Sequence, residues 1–192
     1  MMSGILFIRH AATDMAGTFC GHSDPPVNAQ GRQQIESIVA CLSDTAWDAV
    51  YSSDLRRAVA TAEPLARASH CHVVTAPGLR EIHFGSWEGL TWKQIEERDA
   101  VYAQRWIESF PFLDAPMGES FAIFERRVLD EVEGLFRITE GKRVVVVTHG
   151  GVMRVVLRTY LGCTEQESWE RTKTYCSTFF CGGMLTSRGA TQ

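Results

Sequence analysis

The chain has 192 residues, 45% of them apolar and 22% charged, with a formal net charge of −4. That size and mix suit one globular domain with its own core, spanning residues 1–192, and exclude a disordered chain. A mildly acidic chain has no general attraction for nucleic acid or for an anionic membrane, so an anionic ligand must meet a local cluster of positive side chains.

In chain order, Ile5 to Ile8 is a continuous apolar run, the pattern of a strand covered on both faces. It is too short for a secretion signal, and no later stretch reaches the length that spans a bilayer. The six cysteines contain no C-x-x-C pair, and a reduced, cytoplasmic protein is expected. A loop rich in Gly and Pro follows the first strand. Asn28 then caps a predicted helix over 29–42 with Ile35, Ile38, Val39 and Leu42 on one stripe.

Residues 48–52 read as a second strand and 54–68 as a helix that Pro64 should kink or divide. A third strand is predicted over 72–75. Residues 86–117 read as short helices and loops rich in aromatics, a small cap-like insertion. An amphipathic helix over 120–138 points Phe121, Phe124, Val128, Val132 and Leu135 inward. Residues 143–148 form the clearest buried strand, a helix follows over 151–160, and two more strands are expected within 174–186. Strands alternating with helices define an α/β fold.

In an open α/β sheet, ligands gather beyond the carboxyl ends of the strands. Arg9 and His10 follow the first predicted strand. Ser52, Ser53, Arg56 and Arg57 follow the second, Arg80 and Glu81 the third, and His149, Gly150 and Gly151 the fourth. Each residue alone is weak evidence, since a lone His or Arg is usually packed or solvated. Two histidines, arginines and a carboxylate on one edge suit phosphoryl transfer. Guanidinium forks fit phosphate oxygens, one imidazole can attack phosphorus, the other can stabilise charge, and a carboxyl group can move the proton.

Arg9-His10 after an apolar strand resembles the signature of the histidine phosphatase superfamily, the phosphoglycerate mutase-like family. Ser53-Asp54-Leu55-Arg56-Arg57-Ala58 resembles its second motif and selects Arg57 over Arg56. Leu79-Arg80-Glu81-Ile82 with Phe84-Gly85 and Trp87-Glu88-Gly89 resembles the proton-donor segment. Gly118-Glu119-Ser120 and Val147-Thr148-His149-Gly150-Gly151 complete the set. The resemblance implies a three-layer αβα sandwich with a mostly parallel, mixed sheet. It also implies a metal-independent, cofactor-free phosphomonoesterase acting on a small molecule, with His10 as nucleophile and Glu81 as acid. Arg9, Arg57 and His149 would complete the catalytic pocket, and Thr13, Gly21 and Gly150 would join them in binding substrate.

The chain departs from the family in having Ala11, Ala12 and Ala16 where Gly, Glu and Asn are usual. The resemblance implies an accessory phosphate contact at the Asn position, for which Thr13 or N–H groups near Cys20 and Gly21 are the expected substitutes here. Glu88 is a rival acid, but its Trp-Glu-Gly setting reads as a structural hydrogen-bond acceptor. His22 and His83 read as a loop and a flanking residue near the site. His70-Cys71-His72 lacks the further ligands a metal needs. The cap aromatics read mainly as packing, with one or two available to the organic part of a substrate. The short cap and the run Gly17 to Pro25 resemble α-ribazole phosphatases of cobalamin synthesis. The alternatives are a phosphoglycerate mutase, disfavoured by the lack of adjacent arginines in 86–117, and a non-catalytic binder, disfavoured by the complete set of pocket residues.

Overall fold

The computed structural model describes residues 3–182. Five strands, β1 (Gly4–Arg9), β2 (Ala49–Ser52), β3 (Val73–Thr75), β4 (Arg143–Thr148) and β5 (Thr178–Gly182), form one sheet in the order β3-β2-β4-β1-β5. β1, β2, β3 and β4 pair in parallel, and β5 runs antiparallel to β1. This is the expected α/β mixed sheet.

Successive strand residues point to opposite faces, which explains the two separate cores. Ile5, Phe7, Val144 and Val146 meet α5 (Phe121–Ile138) and α6 (Gly150–Leu161) on one side. Leu6, Ile8, Val145 and Val147 meet α1 (Ala29–Leu42) and α2 (Arg56–Ala68) on the other. The Val144–Val147 run is therefore fully buried, each side chain contributing roughly 1.5–3 kcal/mol. Strands with this double cover must end in loops at one edge, and the parallel register puts Arg9 opposite Thr148 and Ser52 opposite Val147.

Asn28 caps α1, accepting from the Gly31 N–H at 2.9 Å. Gly31 lets α1 sit close to the loop after β1, because a Cβ there would lie 2.3 Å from the Ala12 carbonyl oxygen. Phe121 is half-buried rather than fully inward. Pro64 does not divide α2, which continues through it to Ala68 while Leu65 and Ala66 pack on the sheet.

Three further α-helices and two single 3-10 turns, Pro77–Leu79 and Gly85–Trp87, complete the described residues. α3 (Trp92–Arg98) and α4 (Ala100–Ser109) lie in the aromatic segment, with Trp87, Ile95, Ala103 and Ala115 as a satellite core. α7 (Glu165–Thr172) has no counterpart among the sequence expectations. Of the two strands expected in 174–186, β5 is one; residues 183–186 lie outside the described residues.

Candidate active site

His10 leaves the end of β1 with its N–H donating to the Thr148 carbonyl at 2.8 Å. Its Nδ1 lies 2.8 Å from the Ala11 carbonyl oxygen, which can only accept. Nδ1 therefore carries the ring proton and Nε2 holds the lone pair. That lone pair accepts from Arg57 Nε at 3.3 Å.

Arg57, in the first turn of α2, is wholly buried, whereas its neighbour Arg56 is exposed. Arg57 Nη2 donates to His149 Nδ1 at 3.2 Å and to the Gly21 carbonyl at 2.7 Å, and Nη1 donates to the Ser23 carbonyl at 2.6 Å. With Nδ1 of His149 accepting, its Nε2–H donates to Ser53 Oγ at 2.9 Å. One guanidinium thus joins both histidines and fixes the loop at 20–23 against them.

Arg9 completes the cationic wall. Its Nη1 donates to the carbonyls of Thr172 and Lys173 at 2.9 and 2.7 Å, and its guanidinium lies 4.3 Å over the Tyr175 ring. Its Nε is buried without a protein partner. A buried, unpaired N–H of this kind is costly unless a ligand oxygen takes it. Tyr175 also lies 5.5 Å from the His10 ring.

Burial first, and then the charge of Arg57, hold the pKa of both His10 and His149 well below the usual imidazole range. Both are neutral in the folded protein, as their hydrogen bonds require. Because the unfolded chain takes up protons at these residues near pH 6.5 and the folded one does so only at lower pH, stability is full above pH 6.5 and falls as pH drops below it. Each histidine should add a slope of about 1.4 kcal/mol per pH unit below pH 6.5. Urea unfolding between pH 5 and 7.5 checks this, and His149→Gln should remove one histidine's share.

Glu81 stands at the N-terminus of α6, where Oε2 accepts from the Gly151 N–H at 2.9 Å and Oε1 from the Ile82 N–H at 3.0 Å. Gly151 leaves room for this carboxylate, because a Cβ there would lie 2.1 Å from Glu81 Oε1 and push the side chain aside. The loop carrying Glu81 is clamped by Arg127 of α5, a residue the sequence reading missed. Arg127 Nη1 donates to the Gly78 and Arg80 carbonyls at 3.0 and 2.8 Å, and Nη2 to the Glu81 carbonyl at 2.9 Å. Glu119 orients it through two contacts of 2.7 Å, one from Nε and one from Nη2.

Glu88 accepts four backbone N–H groups, from Gly21, His22, Ser23 and Phe84, at 2.8–3.1 Å. Burial opposes its ionised form, but these hydrogen bonds outweigh burial and lower its pKa. It braces the 20–23 loop as an ionised acceptor. The same bonds occupy the Gly21 N–H, so that group is not free for phosphate; Gly21 meets the site through its carbonyl on Arg57. Thr13 is buried, bridges to Val27, and its Oγ1 accepts from the Met15 N–H at 3.4 Å. Gly150 lies between Arg9 and Arg154. Ala11 and Ala12 are buried, their N–H groups donating to Thr61 Oγ1 and Gln34 Oε1, while Ala16 is exposed.

His22 and His83 pack together, ring centres 4.9 Å apart, and Phe19 meets Phe84, Trp87 and Trp106 edge-on at 5.0–5.9 Å. The cap aromatics therefore mostly face one another. Among the described residues, no three of His, Cys, Asp and Glu gather as a metal site, and no helix is long and apolar enough to cross a membrane.

A sheet edge that collects guanidinium groups around a neutral imidazole of fixed tautomer defines a class of phosphate-handling α/β enzyme. The family model of the histidine phosphatase superfamily, branch 1, matches residues 5–180. The chain belongs to that family, and its enzymatic class is phosphatase. A metal-independent phosphoserine phosphatase of Arabidopsis thaliana is 37% identical over 169 residues, covering 85% of this chain and 70% of the relative. The adenosylcobalamin/α-ribazole phosphatase of Escherichia coli K12 is 27% identical over 164 residues, covering 84% and 81%. The α-ribazole phosphatase structure from Shigella flexneri superposes with a TM-score of 0.79 at 27% identity, covering 86% of this chain and 83% of that one.

Proposed function

We propose that the chain hydrolyses small phosphomonoesters through a phosphohistidine at His10. The observation that carries this reading is the tautomer of His10: Nδ1–H is fixed on the Ala11 carbonyl, so Nε2 presents its lone pair beside Arg57. An arriving phosphoryl group takes the Arg57 Nε–H away from the ring and also accepts from Arg9 Nε. Nε2 then attacks phosphorus as the ester P–O bond breaks, and Glu81 gives its proton to the departing alkoxide. In the second half, Glu81 accepts a proton from water, the water oxygen bonds to phosphorus, the P–N bond breaks, and neutral His10 returns. Arg9 and Arg57 stabilise the charge on the transferring oxygens, and His149 joins them in its other tautomer, with Nδ1–H donating to an oxygen and Nε2 accepting from the Ser53 hydroxyl.

Thr13 stands in the loop behind His10, and Gly150 begins the helix that supplies the Gly151 N–H; neither needs to touch phosphate for these steps. Similar relatives act on phosphoserine in one case and on α-ribazole phosphate in another. The edge-to-face packing of Trp87, Trp92 and Trp106 favours a structural cap over a shelf for an aromatic base.

The test is Glu81→Gln against a series of leaving groups, with a chelator present throughout. Alkyl phosphates, whose alkoxides need a proton, should lose about 10²–10⁴-fold in kcat/KM. A nitrophenyl ester, whose leaving group departs as the anion, should lose far less. Equal losses across the series would remove Glu81 from the acid role.

A further inference from the structure

Arg154, one turn into α6, has no part in the steps above, yet the fold builds a support for it. Its guanidinium lies 4.4 Å over the Trp169 ring, and its Nε donates to Thr172 Oγ1 at 3.3 Å. Arg9 is held in the same way, 4.3 Å over Tyr175, with Nη1 on the carbonyl of that same Thr172 at 2.9 Å. α7 and the turn after it thus set two guanidinium groups side by side, each stacked on an aromatic ring and both tied to one threonine. Stacking and a single fixed hydrogen bond leave a guanidinium's remaining donors pre-aimed, which lowers the ordering cost of binding an anion.

The two groups flank Gly150. A Cβ built there would lie 3.1 Å from Arg154 Nη2 and 3.7 Å from Arg9 Nε. Arg154 is close enough to both Glu81 and Arg9 for their charges to interact. No protein acceptor among the described residues takes its Nη1 or Nη2. These donors are not among the fully buried unpaired atoms, so they are not sealed from solvent. Gly150 is followed by the residue whose N–H holds Glu81, so a cation at Gly150 with two donors to give stands in the neighbourhood of the group assigned to protonate the leaving alcohol.

We propose that Arg154 is a substrate-binding residue that selects phosphomonoesters whose alcohol carries a second negative charge, a carboxylate at the distance of a phosphorylated hydroxy or amino acid. The proposal rests on the phosphatase reading above. A nucleoside-type alcohol offers Arg154 neutral acceptors but no second negative charge. A carboxylate would accept from Nη1 and Nη2 together, the planar match that a guanidinium fork makes best.

The test compares O-phospho-L-serine with its carboxamide, and phosphoglycolate with ethyl phosphate, in the wild-type chain and in Arg154→Met and Arg154→Lys. The wild-type chain should prefer the acid of each pair by about 10- to 100-fold in kcat/KM, the worth of a hydrogen-bonded charge pair. Arg154→Met should bring that ratio close to one, chiefly through KM for the acid. Arg154→Lys, which keeps the charge without the fork, should keep part of it. The ratio is independent of how much active protein survives. A wild-type ratio near one would overturn the proposal, as would a ratio that Arg154→Met leaves intact. A preference for α-ribazole phosphate over both acids would overturn it too. Nitrophenyl phosphate separates the two levels: if the wild-type chain cannot hydrolyse that ester, the phosphatase reading itself falls and this one with it.

Discussion

His10→Asn is expected to lower kcat by about 10⁴-fold or more, with a smaller change in the binding of inorganic phosphate. Asparagine is close in size and can keep a donor toward the Ala11 carbonyl, which holds His10 Nδ1 at 2.8 Å. It has no nitrogen lone pair to place where Nε2 stands. The guanidinium groups of Arg9 and Arg57 do not depend on the ring for their main anchors, since both donate to backbone carbonyls. An anion should therefore still bind a pocket that can no longer react. Steady-state kinetics with phosphate as competitive inhibitor checks both halves.

Arg57→Lys is the second large effect, because one buried side chain joins three parts of the site. Its guanidinium reaches His10, His149 and the carbonyls of Gly21 and Ser23, at 2.6–3.3 Å. An ammonium has three donors on a single atom and cannot span these directions. The variant should lose about 10²–10³-fold in kcat/KM. It should also lose stability, by about 1.5–3 kcal/mol for each charged hydrogen bond left unmade. The 20–23 loop should loosen even though Glu88 still accepts its N–H groups, which faster amide exchange at Gly21 to Ser23 would reveal.

Much of the frame is legible where one signal dominates. Asn28 and the Ile35–Leu42 stripe mark α1, and four consecutive valines mark β4, because capping and continuous burial leave a direct trace in the residues. α7 escapes for the opposite reason. Its inward residues are Ser168 and Thr172, so no apolar stripe exists. Its readable trace is the Thr164–Glu167 capping box. That miss matters, since α7 and the turn behind it hold Arg9 and Arg154.

The site divides in the same way. His10, Arg57, Glu81 and His149 follow strands or open helices, and strand ends are readable places. Arg127 sits among charged residues on α5, where a solvated face is the ordinary reading. Only the tertiary approach of α5 to residues 78–81 turns it into a clamp. Glu88 was readable as structural from its Trp-Glu-Gly setting, but its four N–H partners come largely from a loop 65–67 residues earlier in the chain, beyond any local pattern.

A covalent phosphoryl group on His10 is tested most directly by rapid mixing with a ³²P-labelled phosphomonoester, quenched in alkali and mapped by peptide. Label is expected on residue 10, stable to alkali and lost in acid, appearing and decaying at the rate of turnover and absent from His10→Asn. Full-rate hydrolysis with no labelled protein at any time, or with label on another residue, would contradict it.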